Sequence, residues 1–167
     1  MAKATGATYD VHFRRRREGR TDYAKRLALL KSGMPRLVVR KTNRHVTVSI
    51  TENGEKGDRT VVSRSSAALE KLGFKGKCNT PSAYLTAMLC AKEAAKKGVK
   101  EAVLDIGLHK ATKGSLVFAA AKGATDAGIA VSLGNEIAPS QERIEGKHMK
   151  DGTATAFADC REKIKAS

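Results

Sequence analysis

Four consecutive arginines, Arg14 to Arg17, form the densest run of chemistry-bearing side chains in the sequence. Guanidinium groups so close together resist compact packing, yet they make paired hydrogen bonds to phosphate and stack on bases, so the chemistry they suit is polyanion binding. Tyr9, Val11 and Phe13 flank the run and are expected to anchor it on a surface; an unanchored run would read as a solvated tail or a sorting signal. The arginines belong to a wider asymmetry. Residues 1–50 hold 13 Lys+Arg and 3 acids, a net +10, whereas the other 117 residues contribute +5 of the total +15. Charge kept only for solubility would be spread evenly, so this concentration predicts a directed polyanion-binding face with nucleic acid as the leading partner class.

Other chemistries are poorly supplied. Aromatic residues make up 4% of the chain and tryptophan is absent, which disfavours a surface built mainly on base-stacking rings. Cys78, Cys90 and Cys160 are odd in number and lack CxxC spacing or a nearby histidine, so they read as reduced thiols rather than a disulfide framework or a zinc site. His12, His109 and His148 have no ligand spacing, and no metal or other cofactor is expected. No phosphate-binding lysine loop or dinucleotide glycine fingerprint occurs, so a small-molecule substrate is not expected. The longest apolar run, Leu116 to Ala121, is too short for a membrane span, and the opening residues lack the apolar stretch of a secretory signal; a cytoplasmic protein with no membrane partner is expected.

A chain of 167 residues with 41% hydrophobic content fits one domain with tails. The predicted layout is a basic N-terminal arm over 1–20, an α/β domain over 21–134 and a polar C-terminal tail over 135–167, read as a surface arm with a short terminal helix. Thr21 is the expected N-cap of a helix over Asp22 to Lys31, with Tyr23, Leu27 and Leu30 as a core-facing stripe and a basic surface opposite. Arg36 to Lys41, Val46 to Thr51 and Arg59 to Arg64 read as an antiparallel meander, with a turn over Glu52 to Asp58. In the second strand Thr47, Ser49 and Thr51 form an outer hydroxyl face able to donate to sugars and phosphates, although threonine is also a routine exposed strand residue. A short helix over Ala67 to Leu72 is capped by Ser65 and Ser66 and closed by Gly73. Thr80 and Pro81 are read as the N-cap and first turn of a helix burying Tyr84, Leu85, Met88, Leu89, Ala91 and Ala95. Glu101 to Ile106 and Ile129 to Leu133 supply further strands around a small-residue helix, Ser115 to Ala127, expected to lie close on a sheet. Gly73, Gly76, Gly107 and Gly114 are read as turn residues first.

Several motifs in one order resemble a known family. Phe13-Arg14-Arg15-Arg16-Arg17-Glu18-Gly19, Thr21-Asp22-Tyr23, Pro35-Arg36-Leu37-Val38-Val39-Arg40-Lys41, Asn43-Arg44-His45, Asn79-Thr80-Pro81, Asp105-Ile106-Gly107-Leu108-His109 and Thr112-Lys113-Gly114 resemble the archaeal type of large-subunit ribosomal protein eighteen, in register from about Tyr9 to Met149. The resemblance implies an α/β fold with a mixed five-stranded sheet and flanking helices, a ribonuclease-H-like motif. It implies a structural, non-enzymatic protein of the large ribosomal subunit that binds 5S rRNA and attaches it to the large rRNA in the central protuberance, beside large-subunit ribosomal protein five. Lys110-Ala111 stands where relatives often carry Arg-Pro; lysine neutralises phosphate but lacks the planar fork.

The primary RNA-binding candidates are Arg14, Arg15, Arg16, Arg17, Arg20, Arg40, Lys41, Asn43, Arg44 and His45, with Lys25 and Arg26 on the first helix. Secondary candidates are Lys75, Lys77, Asn79, Thr80, His109, Lys110, Thr112, Lys113 and Gly114. Structured RNA offers phosphates and 2′-hydroxyls that suit such a surface better than base-specific readout does. Two rivals stand beside this reading. An RNA-processing enzyme would need clustered carboxylates for metal ions, but Asp105, Asp126 and Glu136 are scattered, so no catalytic residue is expected. A general nucleic-acid chaperone is permitted by charge alone.

Overall fold

The computed structural model describes residues 6–55, 57–134, 136–149 and 152–166. Residues 1–5 of the predicted arm, Lys56 in the predicted turn, and positions 135, 150, 151 and 167 of the predicted tail lie outside the described residues. The elements in order are α1 (Arg14–Arg17), α2 (Tyr23–Lys31), β1 (Arg36–Lys41), β2 (Val46–Gly54), β3 (Gly57–Ser65), a 3-10 helix (Ser66–Leu72), α3 (Thr80–Lys96), β4 (Glu101–Asp105), α4 (Leu116–Asp126), β5 (Ala130–Val131), α5 (Gln141–Glu145) and α6 (Thr153–Ala166). The strands make one open sheet, mixed and five-stranded as expected, and their order is β3-β2-β1-β4-β5: the first three are antiparallel, and β4 and β5 join in parallel. Parallel neighbours need a crossover, which α3 and α4 supply. The fifth strand is shorter than predicted, because only Ala130 and Val131 find partners on β4.

Period-two alternation decides what each sheet face does. Leu37 and Val39 on β1, and Val46, Val48 and Ile50 on β2, are fully buried against Ala83, Ala87, Cys90, Ala91 and Ala94 of α3 and Ala120, Ala121 and Ala124 of α4. The intervening residues line the other face, where Arg36 pairs with Thr51, Val38 with Ser49 and Arg40 with Thr47; Thr51 is buried beside Arg36, so of the expected hydroxyl face of β2 only Thr47 and Ser49 remain accessible. Ser63 and Ser65 of β3 extend this hydroxyl-bearing face by pairing with Ser49 and Thr47.

The small residues of α4 serve a closer approach than the predicted one to a sheet. A Cβ at Gly123 would stand 2.3 Å from the Tyr84 carbonyl oxygen, so the glycine lets α4 press on the backbone of α3. Gly76 does the same for the loop before α3, where a Cβ would fall 1.6 Å from the Ser66 carbonyl oxygen. Its reading as a turn residue is therefore replaced by close packing.

The C-terminal segment is not a surface arm. Ile144, Phe157, Cys160 and Ile164 are almost wholly buried in a second apolar cluster with Leu69, Phe74, Tyr84, Leu85 and Met88. Helix α3 is consequently sandwiched between the sheet and the α5–α6 layer, with burial on both sides. Ala95, expected on its buried side, is exposed. The spacing of Phe157, Cys160 and Ile164, at i, i+3 and i+7, was a helical stripe in a segment whose polar composition concealed it.

Helix α2 departs in the opposite direction. None of its residues is buried, and Leu27 of the predicted core stripe is 55% exposed. The sheet face beside it carries Arg36, Arg40 and hydroxyls rather than an apolar surface, so little is available to receive that stripe. Caps also fall one residue from expectation. Asp22 Oδ1 accepts from the Ala24 and Lys25 amides, and Asn79 Oδ1 accepts from the Ser82 amide at 2.9 Å, so Asp22 and Asn79 are the N-caps in place of Thr21 and Thr80.

Candidate nucleic-acid interface

The four arginines form one helical turn, α1, ended by Gly19 at φ 63°. The Gly19 amide donates to the Arg16 carbonyl and the Arg20 amide to the Arg15 carbonyl, a paired closure that needs the left-handed residue. At 3.6 residues per turn the guanidiniums fan around the axis. Arg14 lies 2.9 Å and Arg20 3.2 Å from opposite oxygens of Glu18, while Arg15 Nε donates to Thr21 Oγ1 at 2.8 Å. Arg16 and Arg17 are exposed and meet no carboxylate among the described residues. The apolar flank gives little anchorage: Tyr9, Val11 and Phe13 are 41%, 59% and 72% exposed, and the contact available to Phe13 is the Tyr23 ring at 5.5 Å.

Chain direction gathers most other candidates at one end of the sheet. Because β4 runs parallel to β1, the residues leaving both strands emerge together, and β2 begins and β3 finishes at that same end. There the Thr42–His45 turn is closed by the Thr42 amide donating to the His45 carbonyl and the His45 amide to Thr42 Oγ1. Lys41, Asn43 and Arg44 project from it, exposed. His45 is half-buried, with Nδ1 3.3 Å from Ser66 Oγ. Packing of Gly76 on Ser66 brings in the loop bearing exposed Lys75 and Lys77. After β4, exposed Lys110, Thr112 and Lys113 follow, and the Gly114 amide donates to the Ile137 carbonyl. Burial first, then the positive charges of Lys41 and Arg40, push the His109 imidazole below its ordinary value and favour its neutral form. Asn79 and Thr80 are different: the first is committed to capping α3 and the second is buried, so their geometry is structural first.

A groove of about 840 Å³ separates the α1–α2 segment from the residues after β4. Arg15, Arg20, Lys25, Arg26, Arg40 and His109 face it alongside Asp22 and Asp105, above an apolar lining that includes Leu29, Ile106 and Leu108. Beneath it runs an alternating chain of charge that sequence reasoning did not find. Arg26 Nη2 lies 2.8 Å from Asp58, Arg36 bridges Asp58 at 2.7 Å and Asp105 at 3.0 Å, and Arg40 meets Asp105 at 2.9 Å. Arg36 is 2% exposed, and a buried guanidinium at the head of a strand has no periodic signature; the usable signal was Asp105 two residues before a glycine, the pattern of a side chain that caps its own turn.

This chain ties α2 to the sheet. Desolvation raises the Asp58 pKa, but the contacts and charges of Arg36 and Arg26 outweigh it and hold the carboxyl below its ordinary value. A depressed carboxylate contributes stability above the unfolded pKa, near 4, and loses it as pH falls through the folded pKa. The stability difference between the wild type and Asp58→Asn is therefore expected to shrink as pH is lowered from 5 towards 2.5, measured by denaturant unfolding. A difference that is constant or grows in acid would show that Asp58 is not the ionised tether.

The carboxylates needed by a nuclease are spent elsewhere. Asp105 is engaged by two arginines, and Asp126 accepts from Tyr84 Oη at 2.7 Å and pairs with Lys122 at 3.2 Å. No group of three or more His, Cys, Asp or Glu side chains among the described residues could hold a metal ion.

An open mixed sheet with a basic end, a cation-lined groove and arginine-bound acids defines a nucleic-acid-binding scaffold protein. The family described as ribosomal large subunit proteins 60S L5 and 50S L18 matches residues 7–102 and 94–133, and the chain belongs to it. The large ribosomal subunit protein uL18 of Methanoregula boonei is 52% identical over 147 residues, covering 87% of this chain and 84% of the relative. Those of Methanococcus maripaludis and Methanoculleus marisnigri are each 52% identical over 149 residues, covering 89% of this chain and 77% and 85% of the relatives. The protein is thus an RNA-binding structural constituent of the large ribosomal subunit, serving translation without an enzymatic role.

Proposed function

We propose that the chain binds 5S rRNA and attaches it to the large rRNA in the central protuberance, beside large-subunit ribosomal protein five. The observation that carries this reading is the gathering of cations without carboxylate partners among the described residues, Lys41, Arg44, Lys75, Lys77, Lys110 and Lys113, at one end of the sheet. Arg14 to Arg17 and Arg20 supply further charge from the arm, Lys25 and Arg26 from α2. Asn43, His45, His109, Thr112 and the backbone at Gly114 complete the surface with neutral hydrogen-bonding groups. Thr47, Ser49, Ser63 and Ser65 on the outer sheet face meet sugar edges. A fixed array of this kind reads the shape of folded RNA through phosphates and 2′-hydroxyls.

Binding is expected to fall about 10³- to 10⁵-fold between 50 and 200 mM salt if about six to ten phosphates are neutralised. Filter binding or fluorescence anisotropy over that range, with folded 5S rRNA against duplex DNA and an unrelated folded RNA of equal length, tests the reading. A flat salt response removes the electrostatic mechanism. Equal affinity for all three ligands favours a general nucleic-acid chaperone.

A further inference from the structure

Asp105 is an acid inside a surface that should attract a polyanion, and the sheet places it at the centre of that surface. Its Oδ2 is 3.0 Å from Nη1 of buried Arg36, which already gives the carboxylate a partner. Its remaining bonds all act on neighbours facing the groove. Oδ1 accepts from Arg40 Nη2 at 2.9 Å and from the Gly107 amide at 2.8 Å, and the Asp105 carbonyl accepts from Arg40 Nη1 at 2.8 Å. Arg40 Nη1 also donates to the Val39 carbonyl at 2.9 Å. Three guanidinium hydrogen bonds therefore hold a side chain that remains 45% exposed. An exposed arginine ordinarily keeps much of its rotamer freedom, so pinning it needs such a set of acceptors.

Gly107 completes the seat. At φ 62° it turns the chain directly after β4, and a Cβ there would lie 2.9 Å from Arg40 Cζ. The guanidinium occupies the space that a side chain would fill. A guanidinium carries five N–H donors; Nε–H and one hydrogen on Nη2 are left uncommitted by those bonds. They lie on one edge of the planar group, a fork of the kind that matches two phosphate oxygens.

We propose that Asp105 and Gly107 are positioning residues for RNA binding, holding the Arg40 guanidinium in one orientation so that its free edge engages a backbone phosphate at the groove. The inference rests on the RNA-binding reading above. Preorganisation matters because a fork already oriented loses less entropy on engagement than a mobile one.

The sign of the effect is diagnostic. Asp105→Asn removes a negative charge, so through charge alone it should strengthen binding to a polyanion; positioning predicts weaker binding instead. The experiment measures affinity of the full chain for folded 5S rRNA at 150 mM salt in two double-mutant cycles, Asp105→Asn with Arg40→Ala and Gly107→Ala with Arg40→Ala. Arg40→Ala is expected to weaken binding about tenfold. Asp105→Asn and Gly107→Ala each weaken it several-fold alone and not at all once Arg40 is alanine. Gly107→Ala changes no charge and leaves the Arg36–Asp105 contact in place, so it carries the test if Asp105→Asn fails to fold. Independent losses in the Arg40→Ala background, or a gain of affinity in Asp105→Asn, overturn the positioning role while leaving RNA binding intact. Absence of salt-dependent binding by the wild type overturns the RNA-binding reading and this inference together.

Discussion

Replacing Arg14, Arg15, Arg16 and Arg17 together by alanine is expected to weaken binding to folded 5S rRNA about 10²- to 10³-fold near physiological salt and to lower the salt slope by about 3. Thermal unfolding of the free protein should hardly move. The two expectations have different physical origins. No residue of α1 is buried, and its ion pair, Arg14 with Glu18, has partners 80% and 35% exposed. An exposed pair of that kind contributes well under about 1 kcal/mol, and alanine is at least as good a helix former as arginine. Four cations that release counterions on docking contribute far more to affinity than they do to the fold. Calorimetry on the free protein and salt-dependent binding on the complex separate the two. A fall in melting temperature that matches the fall in affinity would make the arginines structural.

Gly123→Ala should act in the opposite sense, with a large loss of stability and intact RNA affinity for the molecules that remain folded. Intrinsic propensity alone favours alanine inside α4 by about 1 kcal/mol. Packing decides against it, because the new Cβ would stand 2.3 Å from the Tyr84 carbonyl oxygen and 3.0 Å from its carbonyl carbon. Those are backbone atoms of the most buried helix, not the end of a flexible side chain, so α3 and α4 must separate. The expected cost is about 2–4 kcal/mol, or roughly 5–15 °C in melting temperature for a chain of this size. Gly6→Ala, placed in open space at an ordinary backbone angle, should change little. An unchanged melt for Gly123→Ala would mean that the two helices do not meet as closely as described.

Residue pattern made the sheet legible because strand alternation is local. Val46, Val48 and Ile50 had to share one face, and they do. The starts of α2 and α3 were legible to within one residue, since Asp22 and Asn79 each stand beside a second capping type, Thr21 and Thr80. Adjacent caps compete through geometry that type alone does not rank. The misreadings at α2 and α6 have a common origin. A periodic apolar stripe shows that a helix has a side to bury, not whether a receptive surface lies opposite. Leu27 finds no apolar cluster to join and stays 55% exposed, while Phe157, Cys160 and Ile164 pack with Tyr84, Leu85 and Met88 of α3 and are buried.

Amino-acid type and order alone established the α/β class, the basic bias of the first 50 residues and the family resemblance, because each is a property of composition or short-range pattern. Tertiary structure alone decided which cations carry a carboxylate partner and which stand without one among the described residues. Arg26, Arg36 and Arg40 are the same residue type as Arg16, Arg17 and Arg44, yet Asp58 and Asp105 engage the first three through contacts that span up to 69 positions. Pairing at that separation depends on how parallel and antiparallel strands are laid side by side, and that arrangement exists only once the chain has folded.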